Sequence, residues 1–377
     1  PSWIRAFWLL GGDMADPPAD PVGPPALESF PDCGFHVMAD AGPQARLVFR
    51  TGPAPGVAVV PGHMHADCLS IYLSVAGHPV IVDAGTYTYR TSGGGGESGA
   101  PSWRQYFAGP RAHNGPVLGN RDPLGELATS FRRSGQEVRT RVTQYESGDL
   151  VRVDGRLMAE GPYGDTRRLV IHVRGEYWLV VDVPPESACR SEGASAGFQF
   201  DAGTTIARTA SAISAEHPGW TGTVRIAASG GLQSPAVHEG STDPVAGWIS
   251  PRYGRLTAAP QVRFGHTGRD GAVAFVLEVG PGPRFAGAVR VEAVGSASLR
   301  VTVSGERHED CLLIDCTAAA CPLPGSRDSV FRGELLWLRL GDGVPEEARW
   351  LGARYLSVPG TPMESGRVAA DGRYRFP

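Results

Sequence analysis

From Phe30 onwards the chain alternates apolar and polar side chains with a period of two, and no sustained 3.6-residue apolar stripe interrupts the pattern. Successive side chains of a strand point to opposite faces, so this alternation is what a sheet with a buried face requires. Leu69, Ile71, Leu73 and Val75 alternate with Ser70, Tyr72 and Ser74, and Ala76-Gly77-His78-Pro79 then turns the chain into Val80-Ile81-Val82. Leu169–Val173 runs to the turn Arg174-Gly175-Glu176, and Tyr177–Val181 returns. The same rhythm recurs at Val273–Val279, Val289–Val294, Leu299–Val303, Leu335–Leu340 and Ala348–Val358. Punctuated by 51 Gly and 32 Pro, these short strands predict an all-β fold, a large antiparallel β-sandwich rather than βαβ units.

The first 28 residues differ. Trp3–Leu10 reads as the last turns of a helix, and the proline-rich stretch Ala15–Pro25 cannot continue one, because proline removes a donor and clashes with the preceding turn. It reads as a stiff linker. The expected organisation is the end of a helical domain plus linker over 1–28, a β-sandwich over 29–295 and a C-terminal β-strand extension over 296–377. The opening Pro1-Ser2-Trp3 carries neither Met nor a secretory signal, which reads as a processed or truncated polypeptide and leaves an upstream signal open.

A net charge of -4 argues against a nucleic-acid binder dominated by phosphate contacts. All 35 Lys and Arg positions are arginine, so any basic cleft consists of guanidinium forks able to hold a carboxylate or sulfate through two bonds. No apolar run approaches the roughly 20 residues of a membrane span. Cys33, Cys68, Cys189, Cys311, Cys316 and Cys321 match no zinc-ribbon spacing. The apolar neighbours of Cys311 and Cys316 read first as those of buried free thiols, with a disulfide among Cys311, Cys316 and Cys321 the competing reading. The low-complexity stretch Ser92–Gly99 reads as a surface loop or, from its position between chemistry-bearing segments, a lid.

Those segments span residues 62–114. In Gly62-His63-Met64-His65-Ala66-Asp67 an extended chain projects His63, His65 and Asp67 from one face. Val82-Asp83-Ala84-Gly85-Thr86-Tyr87-Thr88-Tyr89 follows, then Trp103-Arg104-Gln105-Tyr106-Phe107 and Ala112-His113-Asn114. His65, Asp83 and His113 together offer two nitrogens and one oxygen, a donor set that suits zinc with a fourth position open to water. Spacing alone leaves open whether the three meet: a tight hairpin about Gly77-His78 places Asp83 opposite Tyr72, far along the strand from His65. His36, His172, His217, His238, His266 and His308 stand alone and read as structural or surface residues.

These four segments, in this order, resemble the signature of the heparinase II/III-like family, and Gly247-Trp248-Ile249-Ser250-Pro251-Arg252-Tyr253-Gly254-Arg255 is similar to a later segment of the same domain. The likeness runs from about residue 29 to 295, and more loosely to 358. It implies an antiparallel β-sandwich preceded by an (α/α) toroid, with an acidic polysaccharide bound between them. It also implies a lyase cleaving uronic-acid-containing glycans by β-elimination. By resemblance His65, Asp83 and His113 match metal-ligand positions for a divalent metal, zinc first among candidates, either structural or charge-neutralising. His63 matches a histidine beside the substrate carboxylate, and Tyr87 and Tyr106 are further catalytic candidates. Arg104 and Asn114 are candidates for substrate binding, as is Trp103, for which packing is the stronger reading. A second acid–base group is implied on the toroid, which this chain does not contain, and a periplasmic or secreted location is favoured. Ala84 stands where proline is usual, Met64 where a small residue is common, and Gly115 where threonine usually follows His-Asn. The segment Gly119-Asn120-Arg121-Asp122 lacks an expected glutamine-bearing turn, which puts the substrate class in doubt. A non-catalytic glycan-binding module and a glycoside hydrolase are the alternatives; the latter needs paired carboxylates, for which Asp67 and Asp83 are the close pair.

Overall fold

The computed structural model describes residues 25–40, 45–53, 63–90, 102–119, 121–124, 127–129, 132–133, 138–159, 163–185, 194–230, 232–265, 271–281, 288–295, 297–324, 328–358 and 369–376. Of the helical end and linker expected over residues 1–28, residues 1–24 lie outside them, as do the stretch Ser92–Gly99 and His266, while Leu27–Phe30 is a strand. Strands dominate, and the paired strands are antiparallel, as the alternation predicts. The central sheet has eight strands, with Val273–Gly280, Tyr177–Val183, Arg167–Val173 and Leu150–Met158 as consecutive neighbours within it.

This sheet is covered on both faces. Val151, Val153, Val170, Trp178, Val180 and Phe275 share a buried cluster with Leu47, Phe49, Ile71, Phe198 and Phe264, which belong to a five-stranded and a four-stranded sheet. The opposite face, with Leu169, Ile171, Leu179, Val181 and Val276, packs on Val301, Leu312 and Trp337 of a six-stranded sheet. Double burial explains why Leu169–Val173 and Tyr177–Val181 are nearly continuous apolar runs, since neither face meets water. The six-stranded sheet begins at Val289–Ala293, which pairs with Leu299–Ser304, and closes with Gly372–Arg375. Its outer face packs on Cys321, Phe331 and Leu356 of a three-stranded sheet.

Buried charges join the central sheet to the six-stranded one. Arg152, 1% exposed, donates to Asp154 at 2.8 Å and to Asp315 at 2.6 Å, and Arg167 reaches both carboxylates. Each carboxylate thus accepts from two guanidinium groups, the condition under which buried charge is tolerated.

Local departures from the simple alternation have visible causes. The strand expected from Leu69 begins at Ile71, because Leu69 takes φ +56° and turns the chain. The strand His78–Ile81 ends before Val82, whose N–H bonds Gln199 O in the four-stranded sheet at 2.8 Å. The expected run Ala348–Val358 divides into Val344–Leu351 and Tyr355–Ser357, which belong to different sheets. Cys316 and Cys321 form a disulfide, so the free-thiol expectation fails for Cys316, while Cys311 is free and buried. Burial pushes the Cys68 and Cys311 thiols up to about 12, which makes both poor nucleophiles.

Candidate active site and metal centre

Three loops carry the motif residues, and Asn114 ties them together. Its side-chain amide donates to Ile71 O at 2.9 Å and Val82 O at 2.8 Å, and its carbonyl oxygen accepts from Gln199 N at 2.7 Å. Ile71 follows the histidine loop, Val82 precedes Asp83, and Asn114 itself follows His113, so one buried amide sets the spacing of all three segments. Arg168 reinforces it by donating to Leu69 O at 2.9 Å and to Asn114 O, its charge balanced by Asp182 through bonds of 2.6 and 2.7 Å. Close approach also fixes the backbone. A Cβ on Gly115 would lie 2.5 Å from Cys68 O, which accounts for glycine in the position after His113-Asn114. Gly85, at φ +82°, leaves 2.4 Å between such a Cβ and Ser250 O.

So positioned, His65, Asp83 and His113 bring one ligand atom each within 4.8 Å of one another. His113 is 1% exposed, and its Nδ1 bonds Asp83 Oδ2 at 2.7 Å. Burial by itself lowers the His113 pKa, but the Asp83 carboxylate outweighs it and holds the imidazole above its ordinary value. Burial likewise raises Asp83, and the charge and hydrogen bond of His113, with the Gly85 N–H, bring the carboxyl below the ordinary carboxylate range. Each group thus favours the charged form of the other. Arg104 NH1 lies 3.3 Å from His65 Nε2; a guanidinium can only donate, so that nitrogen accepts and the ring is neutral. His113 Nε2 is buried with no hydrogen-bond partner among the described residues. Two imidazoles, one carboxylate and an orphaned buried nitrogen fit a zinc-like ion, whose ligands stand about 2.0–2.2 Å from the metal.

The triad borders a polar cleft of about 280 Å³ lined by Arg50, His63, Met64, His65, Asp67, Asp83 and Thr86 with Pro53. His63 is exposed at this cleft, and its Nδ1 is 2.9 Å from the Tyr89 hydroxyl. Tyr89 in turn holds the Arg104 guanidinium 5.2 Å from its ring centre and stacks on Tyr253 at 5.7 Å. Asp67 pairs with Arg50 at 3.0 Å. Burial raises the Asp67 pKa even against the pull of Arg50 and His113. Both carboxylates of the hydrolase alternative are thus engaged with cations.

Several residues expected at the substrate lie elsewhere. Asn114 and Arg104 are fully buried; the first is the pin described above, and the second backs His65 and Tyr89. Tyr106 is 7% exposed in a small core with Ala84, Phe107 and Ala112, its hydroxyl against the Trp248 peptide, and burial raises its pKa. Trp103 packs edge-on against Trp248 and Tyr87, in line with the packing alternative. Tyr87 turns into the same core because φ +54° breaks the alternation. Tyr89, two residues on, is the tyrosine that bonds His63. Tyr253 and Arg50 also join the site from segments that local spacing could not connect to it.

A family model described as heparinase II/III-like, C-terminal, matches residues 22–292, most of the chain. The chain belongs to this family. The heparan sulfate lyase HepC of Pedobacter heparinus, in a mutant form, superposes with a TM-score of 0.57 at 15% identity, over 83% of this chain and 46% of that one. A heparinase III structure gives 0.55 at 15% identity, over 74% of this chain and 41% of that one. At such identities these likenesses establish the sandwich fold of the heparinase II/III-like chain. The chain spans less than half the length of either relative. No curated protein matches it. Among the described residues no helix is long and apolar enough to cross a membrane.

Proposed function

We propose that this chain forms the β-sandwich wall of a polysaccharide lyase that cleaves a uronic-acid-containing glycan by β-elimination. The observation that carries the reading is His63, exposed at the cleft beside the His65–Asp83–His113 cluster and oriented by the Tyr89 hydroxyl at 2.9 Å. Elimination removes the proton α to the uronate carboxylate, forms a carbon–carbon double bond and expels the glycosidic oxygen at the β carbon. Negative charge builds on the carboxylate, so donors or cations must meet it there. His63 is placed to donate to that carboxylate. Tyr89, bonded to His63 and facing the Arg104 charge, is the tyrosine proposed to exchange a proton with the sugar.

His65, Asp83 and His113 would hold a divalent ion, zinc by their chemistry, which supplies positive field and ties three loops together. Both relatives named above are enzymes that act on glycans by name, and an acidic polysaccharide is the partner proposed for this chain. An (α/α) toroid, on the same polypeptide or a partner, would supply the second acid–base group. The Cys316–Cys321 disulfide fits an oxidising compartment, periplasmic or secreted.

The test is incubation of the protein, joined to a toroid, with uronate polymers. Ultraviolet-absorbing unsaturated ends are expected, and His63→Ala should abolish them. Release of saturated ends alone would sink elimination and favour hydrolysis.

A further inference from the structure

The hairpin Trp248–Arg252 and Arg255–Ala258 carries an exposed aromatic that the fold does not require. Tyr253 is 63% exposed at its two-residue turn, beside Gly254 at φ +76°. The turn is held rigidly against the active-site loop: Ser250 N bonds Ala84 O at 2.6 Å, and Gly254 N bonds Tyr87 O at 2.8 Å. Tyr253 thereby stacks on Tyr89 at 5.7 Å and an interplanar angle of 26°, and Tyr89 bonds His63. Arg252 and Arg255 face each other across the last rung of the hairpin, both exposed. Like charges directly opposite on a strand pair are unfavourable, and neither arginine has a carboxylate partner among the described residues. A rigid ring with an open face and two uncompensated guanidinium groups match the apolar face and the anionic substituent of one acidic sugar.

We propose that Tyr253, with Arg252 and Arg255, forms a subsite for an acidic sugar residue adjoining the one at His63. This rests on the glycan-lyase reading and assigns a neighbouring sugar to a surface that reading leaves unused. Tyr253 then contributes affinity and register along the glycan and takes no part in proton transfer.

Calorimetric titration of the 377-residue chain with heparan sulfate and alginate hexasaccharides, and with neutral cellohexaose, tests the subsite. At least one anionic probe should bind more tightly than cellohexaose. Tyr253→Ala should weaken it roughly tenfold, a loss of the size that aromatic contacts supply. Tyr253→Trp should stay within about threefold, and Arg252→Gln/Arg255→Gln should weaken the anionic probe and flatten the salt dependence of its binding. Thermal unfolding should be unchanged in each variant, since these side chains lie at an exposed turn. Unaltered affinity in Tyr253→Ala, equal losses in Tyr253→Ala and Tyr253→Trp, or no binding of either anionic probe overturns the subsite. Failure of the lyase reading looks different: saturated products appear while Tyr253-dependent binding persists.

Discussion

Asn114 shows how a residue can govern a site without touching what the site binds. Its amide is fully buried and makes three bonds to backbone groups from three segments. Asn114→Ala leaves two carbonyls and one N–H buried without partners, so a loss of about 2–4 kcal/mol is expected in urea unfolding. Zinc content, measured by elemental analysis, should fall with it, as it should in His65→Ala, which leaves the pin intact. Retention of zinc in both variants would refute the metal assignment. The three candidate ligands were legible in sequence because each lies in a short motif. Their meeting was not, because it depends on the long-range bonds of an amide that resemblance offered only as a substrate-binding candidate. Resemblance named Tyr87 and Tyr106 as catalytic candidates, whereas the left-handed backbone at Tyr87 turns it into the small core and leaves Tyr89 as the tyrosine bonded to His63. Tyr89→Phe should therefore lower kcat by about 10²-fold or more while leaving the fold intact. Tyr106→Phe should change stability at the Trp248 contact and spare kcat; the reverse order of effects would restore Tyr106 as the catalytic candidate.

At the scale of strands, sequence periodicity picked out a minority of the strands, leaving Leu150–Met158 and His308–Ile314 unassigned, and misjudged ends where two sheets meet. The hairpin pairs Val75 with His78 and Ser74 with Pro79, then slips by a bulge so that Leu73 faces Ile81. The chain next leaves this sheet for Gln199, which is why Asp83 reaches His113 and does not lie opposite Tyr72. No local pattern encodes that crossing. Histidine in the central strand Arg167–Val173 poses a different question. His172 is fully buried and stacked on Trp178 at 4.6 Å, and both ring nitrogens lack hydrogen bonds among the described residues; Asp40 stands 3.9 Å away, beyond hydrogen-bond reach. Burial, aided by Arg174, brings its pKa down to about 3. The unfolded chain takes up this proton near pH 6.5, whereas the native state does so only near pH 3, so stability is lost as pH falls through that window. The slope reaches about 1.4 kcal/mol per pH unit for one such group, and above pH ~6.5 the residue contributes no pH dependence. Between pH 7 and 4.5 wild type should lose about 2 kcal/mol more than His172→Phe in urea unfolding. Parallel losses in the two proteins would show that His172 is protonated in the native state.

For the whole molecule, the stacked sheets explain why so large a chain devotes so little of itself to chemistry. The cleft is a product of loops at one region, whereas the core clusters and the Arg152–Asp154–Arg167–Asp315 group hold the layers in register far along the sequence. An open cleft of this kind presents His63 and Arg50 from one side, with Tyr89 bonded to His63. On the proposed mechanism, elimination needs a base, an acid and charge neutralisation around one sugar, and a second wall has to bring what this one lacks. General acid–base groups contribute about 10²–10⁴-fold each, so the 377-residue chain by itself should show little turnover of a uronate polymer. Adding a toroid, in cis or as a partner chain, should raise the rate of unsaturated-end formation by at least that factor. The gain should vanish in His63→Ala, because on this mechanism the two walls act on one carboxylate. Full-speed cleavage by the 377-residue chain alone would mean that the acid and the base both lie on this wall, and Asp67, whose carboxyl burial raises beside Arg50, would then be the first residue to replace.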